Sequence, residues 1–119
     1  MKIDNQMLTE KGHNELMQLQ HRNSGDSTDL SENTQGTPAG CTATVVLITP
    51  TEVYCCNAGD SRTVMSKALK AVELSRDHKP DCYEERRRIY AANSFVENER
   101  VGGTLALSRA LGDFDFKAN

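Results

Sequence analysis

Tryptophan is absent from this 119-residue chain, and phenylalanine and tyrosine occur three times each. Leu, Ile, Val and Phe together make up about a fifth of the residues, near the level at which a chain fails to form a core. A core built from this material alone is expected to be thin. No charge of one sign dominates either, with 14 basic and 17 acidic side chains for a formal net charge of −3. Without a clustered basic stripe there is no electrostatic case for nucleic acid or for an anionic membrane surface. Long apolar runs are also missing. The densest, Ala43 to Ile48, is interrupted by Thr44 and falls far short of the roughly 18 residues needed to cross a bilayer. The opening Met-Lys-Ile-Asp-Asn-Gln has no apolar segment of the kind a secretory signal carries. An intracellular location, cytoplasmic or nuclear, is therefore expected. The length suits one domain and not two.

Metal-binding cysteine patterns are lacking as well. Cys41, Cys55, Cys56 and Cys82 contain no C-x-x-C pair, and no Cys/His grouping has zinc-ligand spacing. They read as small buried hydrophobes in a reducing compartment, with Cys55 and Cys56 on opposite faces of a strand.

What is present changes character along the chain. From about Lys2 to His21, apolar residues at Ile3, Met7, Leu8, Leu16, Met17 and Leu19 suit an amphipathic helix, which Gly12 is placed to divide. Residues 23–39 are rich in Ser, Thr, Asn, Asp and Gly, and read as a variable loop or a disordered insertion. At Gly40 a β pattern begins. Strands are predicted over Thr42–Thr49, Glu52–Ala58 and Ser61–Ser66, with a fourth at Ala71–Leu74. Their short connections favour antiparallel pairing, because parallel strands need a long crossover. After Asp77-His78-Lys79-Pro80 the period becomes helical, with Asp81 as the expected N-cap and Glu84 and Glu85 in the first turn. Ile89, Ala92 and Cys82 are the expected apolar side, and Asn93-Ser94 the end. A short strand around Phe95 and Val96, a Gly-Gly turn and the segment Thr104–Asp113 complete the pattern, and there is no internal repeat.

Four stretches are chemically interesting. Gly40-Cys41-Thr42-Ala43 reads as a loop-to-strand entry. Gly59-Asp60-Ser61-Arg62 is either a plain turn between strands or a strand end that aims a carboxylate at a hard cation. Mg²⁺ and Mn²⁺ prefer such oxygen ligands, and Arg62 would then orient or neutralise Asp60. Within Asp77-His78-Lys79-Pro80, His78 is either a proton-transfer residue or part of a polar turn. Pro80 favours the turn by extending Lys79. The Gly-rich stretch Arg100–Asp113 lacks the G-x-x-x-x-G-K-[ST] form of a phosphate loop, which excludes that mode of nucleotide binding. Asp113 and Asp115 are candidate acids whose ordinary fate is solvation.

Taken in order, GCTA, NAGDSR, ELSRDHKP, the ERRRI helix and RVGGTLALSRALGDFDFK resemble the central motifs of the protein phosphatase 2C family. The match covers Gly40 to Lys117, about two-thirds of the chain; residues 1–39 match only loosely. The resemblance implies an α+β fold, here a partial α/β/β/α sandwich with antiparallel sheets. It implies metal-dependent hydrolysis of phosphoserine and phosphothreonine in phosphorylated protein substrates, at a dinuclear Mg²⁺ or Mn²⁺ centre and without a covalent phosphoenzyme. Two cations there supply the nucleophile and neutralise phosphoryl charge.

Residue by residue, less transfers. Asp60, the acid of the GDSR motif, matches a ligand to an additional, weaker metal beside the main pair. Residues between His78 and Arg100 match the flap that borders the active site. The family's Asp-Gly-His-Gly-Gly is missing. Its nearest counterpart, Lys11-Gly12-His13-Asn14, has Lys where the ligand Asp belongs. The phosphate-binding Arg and the later Asp-Gly and Asp-Asn ligand segments are not in the chain either, so no catalytic residue is assigned. Gly103 stands where Asn is frequent. Residues 1–119 are thus expected to be a partial phosphatase domain, inactive alone, with 1–22 helical, 23–39 a variable loop and 40–117 the family core. The rival expectation is a non-catalytic, phosphatase-like binding module.

Overall fold

A computed structural model describes residues 2–23 and 39–117. The variable loop expected over 23–39 falls almost wholly outside them. The described residues form helices and antiparallel hairpins, as the α+β expectation requires. They divide into two compact units, residues 2–23 and 39–40 with 111–117, and residues 41–110.

In the first unit, helix α1 (Lys2–Met7) is followed by helix α2 (Glu10–Asn23). The break lies at Leu8-Thr9 and not at Gly12. Thr9 causes it, because its hydroxyl accepts the Gly12 N–H at 3.1 Å and donates to the Gln6 carbonyl at 2.7 Å. That is N-cap chemistry, which starts a new helix. Gly12 is needed for another reason: a Cβ there would stand 2.0 Å from the Gln6 carbonyl oxygen. The Gly40 end of β1 (Gly40–Cys41) pairs with β8 (Leu111–Gly112), and a 3₁₀ turn over Phe114–Phe116 follows. Asp4 is buried and ties this unit together, accepting from the Gly112 N–H at 3.1 Å and from Lys117 Nζ at 2.8 Å.

The second unit holds three hairpins and one helix. Strand β2 (Ala43–Ile48) pairs with β3 (Val53–Ala58), Ala43 opposite Ala58 and Ile48 opposite Val53. Strands β4 (Val64–Lys67) and β5 (Lys70–Glu73) are joined through Ala68 and Leu69, at φ 49° and 61°. Two positive φ values in a two-residue loop match the twist of the flanking strands. The same device joins β6 (Val96–Glu97) to β7 (Arg100–Val101) through Asn98 and Glu99, at φ 50° and 62°. The strand expected at Phe95 and Val96 therefore sits one residue later, and the chain reverses before Gly102-Gly103. The strands expected over Ser61–Ser66 and Ala71–Leu74 likewise shift, to β4 and β5.

Helix α3 (Tyr83–Ala91) begins after Cys82, whose side chain makes no capping bond. Asp81 is not the cap. Ile89 is buried on this helix, whereas Ala92 and Cys82 are exposed. Val101, Ala110 and the fully buried Pro80 complete a small core. The thin core expected from composition is borne out: Val45, Leu47, Ile48 and Tyr54 of the β2–β3 hairpin are each at least half exposed. The cysteine expectation fails for the same reason. Cys55 is half-buried, and Cys41, Cys56 and Cys82 are exposed, because little apolar material is available to cover them. Among the described residues, no helix is long and apolar enough to cross a membrane.

Candidate metal-ligand turn and the charged network behind it

Strand β3 ends at Ala58, and Gly59-Asp60 turns the chain toward Ser61. Gly59 is buried at φ +114°, a conformation that L side chains rarely adopt. A Cβ here would also meet Thr42 Cγ2 at 2.4 Å. Both conditions require glycine, which explains the Gly-Asp pair physically.

The residues on either side of Asp60 are held. The Gly59 N–H donates to His78 Nδ1 at 3.2 Å, and the Gly59 carbonyl accepts the His78 N–H at 2.9 Å. The Asn57 side-chain amide donates to the same carbonyl at 3.1 Å and to the Arg76 carbonyl at 2.8 Å. On the far side, the Ser61 and Thr42 hydroxyls lie 2.7 Å apart, within hydrogen-bond distance. Asp60 itself is half-buried, and its carboxylate makes no hydrogen bond or ion pair with any described residue.

Arg62 does not neutralise Asp60. Its Nε and Nη2 donate to the two Asp77 oxygens at 2.8 and 2.9 Å, and Nη1 donates to Glu73 Oε1 at 2.7 Å. This fork-to-fork geometry is what a guanidinium does best with a carboxylate. It raises the pKa of Arg62 still further and, chiefly through the Arg62 hydrogen bonds, lowers that of Asp77. The expected charge partner of Asp60 is thus committed elsewhere.

His78 serves as backbone scaffolding for this turn. Its carbonyl accepts the Ser108 N–H at 2.9 Å. The single proton of the Ser108 hydroxyl lies within donating reach of that carbonyl, at 2.9 Å, and of Glu85 Oε2, at 2.8 Å. Glu85, on α3, is buried and takes Arg109 Nε at 3.0 Å, Arg109 Nη2 at 2.7 Å and Arg88 Nη2 at 2.9 Å. Arg88 also donates to the Ser108 carbonyl. Burial pushes the Glu85 carboxyl up, but Arg109, Arg88 and Ser108 outweigh it and hold the pKa at about 2. Sequence reasoning placed Glu85 only as a helix first-turn acid, and missed it as the hub between α3 and the Gly-rich stretch. The signal available was Glu85 and Arg88 at i, i+3; Arg109 is not visible at that range.

Asp113 and Asp115 belong to the other unit. Asp113 is half-buried at φ +50° with its carboxylate packed against Gly40, and Asp115 is exposed.

A hard dication takes about six oxygen ligands, several of which remain water for Mg²⁺. Asp60 has the donor chemistry of one such ligand: its carboxylate bonds to no described residue, and the residues on either side of it are hydrogen-bonded. Among the described residues no group of three or more His, Cys, Asp or Glu side chains is gathered to complete a metal site.

Comparison with known proteins accords with the motif order. A sequence profile of the family Protein phosphatase 2C matches residues 2–119. "Probable protein phosphatase 2C 4" of Paramecium tetraurelia is 43% identical over 117 residues, which cover 98% of this chain and 36% of that protein. "Protein phosphatase 2C homolog 3" of Schizosaccharomyces pombe is 59% identical over 80 residues, 67% of this chain and 19% of that protein. A crystal structure of a phosphatase from a pathogenic strain of Toxoplasma gondii aligns at a TM-score of 0.49 and 30% identity, over 68% of this chain and 37% of that one. The chain thus spans only about a fifth to a third of the length of the curated relatives it matches. With residues 2–119 matched by its profile, the chain belongs to the protein phosphatase 2C family.

Proposed function

We propose that this chain is the central part of a protein serine/threonine phosphatase that hydrolyses phosphoserine and phosphothreonine in protein substrates with Mg²⁺ or Mn²⁺. Asp60 is one of the carboxylates that hold the weaker metal. One observation carries the assignment: Asp60 is the uncommitted acid in a turn whose neighbours are all bonded, while nearby Asp77, Glu73 and Glu85 are paired with arginines. With Arg62 engaged by Asp77 and Glu73, the half-buried Asp60 carboxylate keeps its charge and lone pairs open to a bound cation. Family membership supports the phosphoprotein substrates and the metal dependence.

When bound, a dication neutralises charge on the phosphoryl oxygens and activates water at neutral pH. The chain's own residues bring one oxygen ligand to it. Gly59 and Ser61, fixed through His78, Asn57 and Thr42, hold that carboxylate at a set position, so little order is lost on binding. One ligand of about six does not make a metal site, so residues 1–119 alone are proposed to be inactive.

The experiment is turnover of a phosphothreonine peptide by the full-length protein in millimolar Mn²⁺. Turnover that a chelator abolishes is expected. A folded protein that binds the peptide without hydrolysing it would overturn the enzyme reading in favour of a phosphatase-like binding module.

A further inference from the structure

His78 sits in a motif read above as either proton transfer or polar turn, and its ring does neither job simply. Nδ1 is occupied as an acceptor for the Gly59 N–H at 3.2 Å. The backbone of His78 returns the bond, its N–H donating to the Gly59 carbonyl at 2.9 Å. Residue 78 and residue 59 are therefore joined by a reciprocal pair of hydrogen bonds, one of them through the imidazole. The carbonyl of His78 is anchored in turn by Ser108, whose hydroxyl also reaches the buried Glu85. Glu85 is fixed by Arg109 and Arg88.

We propose that His78 is a positioning residue for Asp60: its Nδ1 holds the Gly59 amide and so sets the direction in which the next residue presents its carboxylate. The inference rests on the assignment of Asp60 as a metal ligand. Its chemistry is specific. The ring must be neutral with its proton on Nε2, since only an unprotonated Nδ1 accepts a hydrogen bond. Gly59 contributes no side chain that could fix the turn by packing, so hydrogen bonds to its amide and carbonyl do that work. Groups that orient a metal ligand typically change metal affinity by about 10–100-fold when replaced.

Asparagine and glutamine separate position from bulk. The Asn side-chain oxygen falls near the place of Nδ1, whereas that of Gln falls near Nε2. In the full-length protein, His78→Asn is expected to keep affinity for the weakest-bound Mn²⁺, followed by the electron paramagnetic resonance of free Mn²⁺, within about 2-fold of wild type. His78→Gln is expected to weaken it by about 10-fold or more, with faster hydrogen exchange at the Gly59 amide. Asp60→Ala is the reference and is expected to abolish this binding. If Asp60→Ala binds weakly while both His78 variants match wild type in affinity and exchange, the positioning role is overturned and the metal assignment stands. If Asp60→Ala binds Mn²⁺ like wild type, the metal assignment itself fails. Should a variant not fold, the wild-type protein decides by ¹⁵N NMR of the imidazole. An Nε2–H tautomer with coupling from Nδ1 to the Gly59 N–H is expected, and an Nδ1–H tautomer overturns the proposal.

Discussion

Glu85 and Arg109, 24 residues apart, meet through a fork of hydrogen bonds in which the carboxylate is buried and the guanidinium is half exposed. The asymmetry decides what substitution does. Removing Glu85 frees Arg109 and Arg88 into water, where each is readily solvated. Removing Arg109 instead leaves a buried carboxylate with only Arg88 and Ser108. Arg109 gives this carboxylate two N–H groups and Arg88 one, so Arg109→Ala should cost more than Arg88→Ala, about 2 kcal/mol against about 1 kcal/mol. Urea denaturation of the full-length protein measures both, and equal losses would contradict that ranking.

The same carboxylate predicts an acid response. Its pKa falls from an ordinary value of 4.5 to about 2 on folding. A depressed carboxylate contributes stability that is fully present above about pH 4.5 and is lost as pH falls toward 2. Asp4 is shifted in the same direction, burial opposing and Lys117 and the Gly112 N–H prevailing. Urea midpoints taken between pH 5 and pH 2.5 should fall more steeply in wild type than in Glu85→Gln. Parallel curves would show that Glu85 does not carry the effect.

Much of this architecture is legible in the sequence, and the parts that are not have physical causes. Hairpin β2–β3 followed from β-branched density and a short Pro-Thr connection, and α3 from its period. The turns at Ala68-Leu69 and Asn98-Glu99 were not legible, because neither pair has the Asn-Gly or Gly-X chemistry that marks such loops. Thr9 as a helix cap is masked in the sequence by Gly12, the stronger helix breaker by composition alone. At the site, the motif singles out Asp60, but the pairing with Arg62 that the sequence suggests is not made. Local sequence could not reveal that Asp77, 15 residues on, wins the guanidinium by bidentate geometry. Glu85 as a hub depends on partners 23 and 24 residues away, beyond any helical spacing.

Gly59→Ala introduces both a strained φ and a contact with Thr42 Cγ2. It should destabilise the full-length protein by more than about 1 kcal/mol. Adding Thr42→Ser removes that methyl while keeping a hydroxyl for Ser61, so the double variant should regain part of the loss. No recovery at all would mean that the Cγ2 contact does not set the cost, leaving backbone strain and the remaining contacts with Thr42 Cβ at 2.7 Å and the Arg109 carbonyl oxygen at 3.2 Å.

The 119-residue chain expressed by itself should aggregate or remain partly unfolded. Val45, Leu47, Ile48 and Tyr54 expose apolar surface on both faces of an uncovered hairpin. Size-exclusion chromatography and a thermal melt test this, and a sharp cooperative transition of a monomer would contradict it.

The central claim is that Asp60 serves the metal and not the fold. Asp60→Ala in the full-length protein removes a carboxylate that bonds to no described residue and relieves repulsion among any acidic neighbours. The decisive measurement is kcat on a phosphothreonine peptide across a Mn²⁺ titration, with the metal-free Tm of the same preparation. The account predicts a kcat lowered by at least about 10-fold at an essentially unchanged metal-free Tm. A lowered Tm with kcat intact at every Mn²⁺ concentration would contradict it and leave Asp60 an ordinary turn residue.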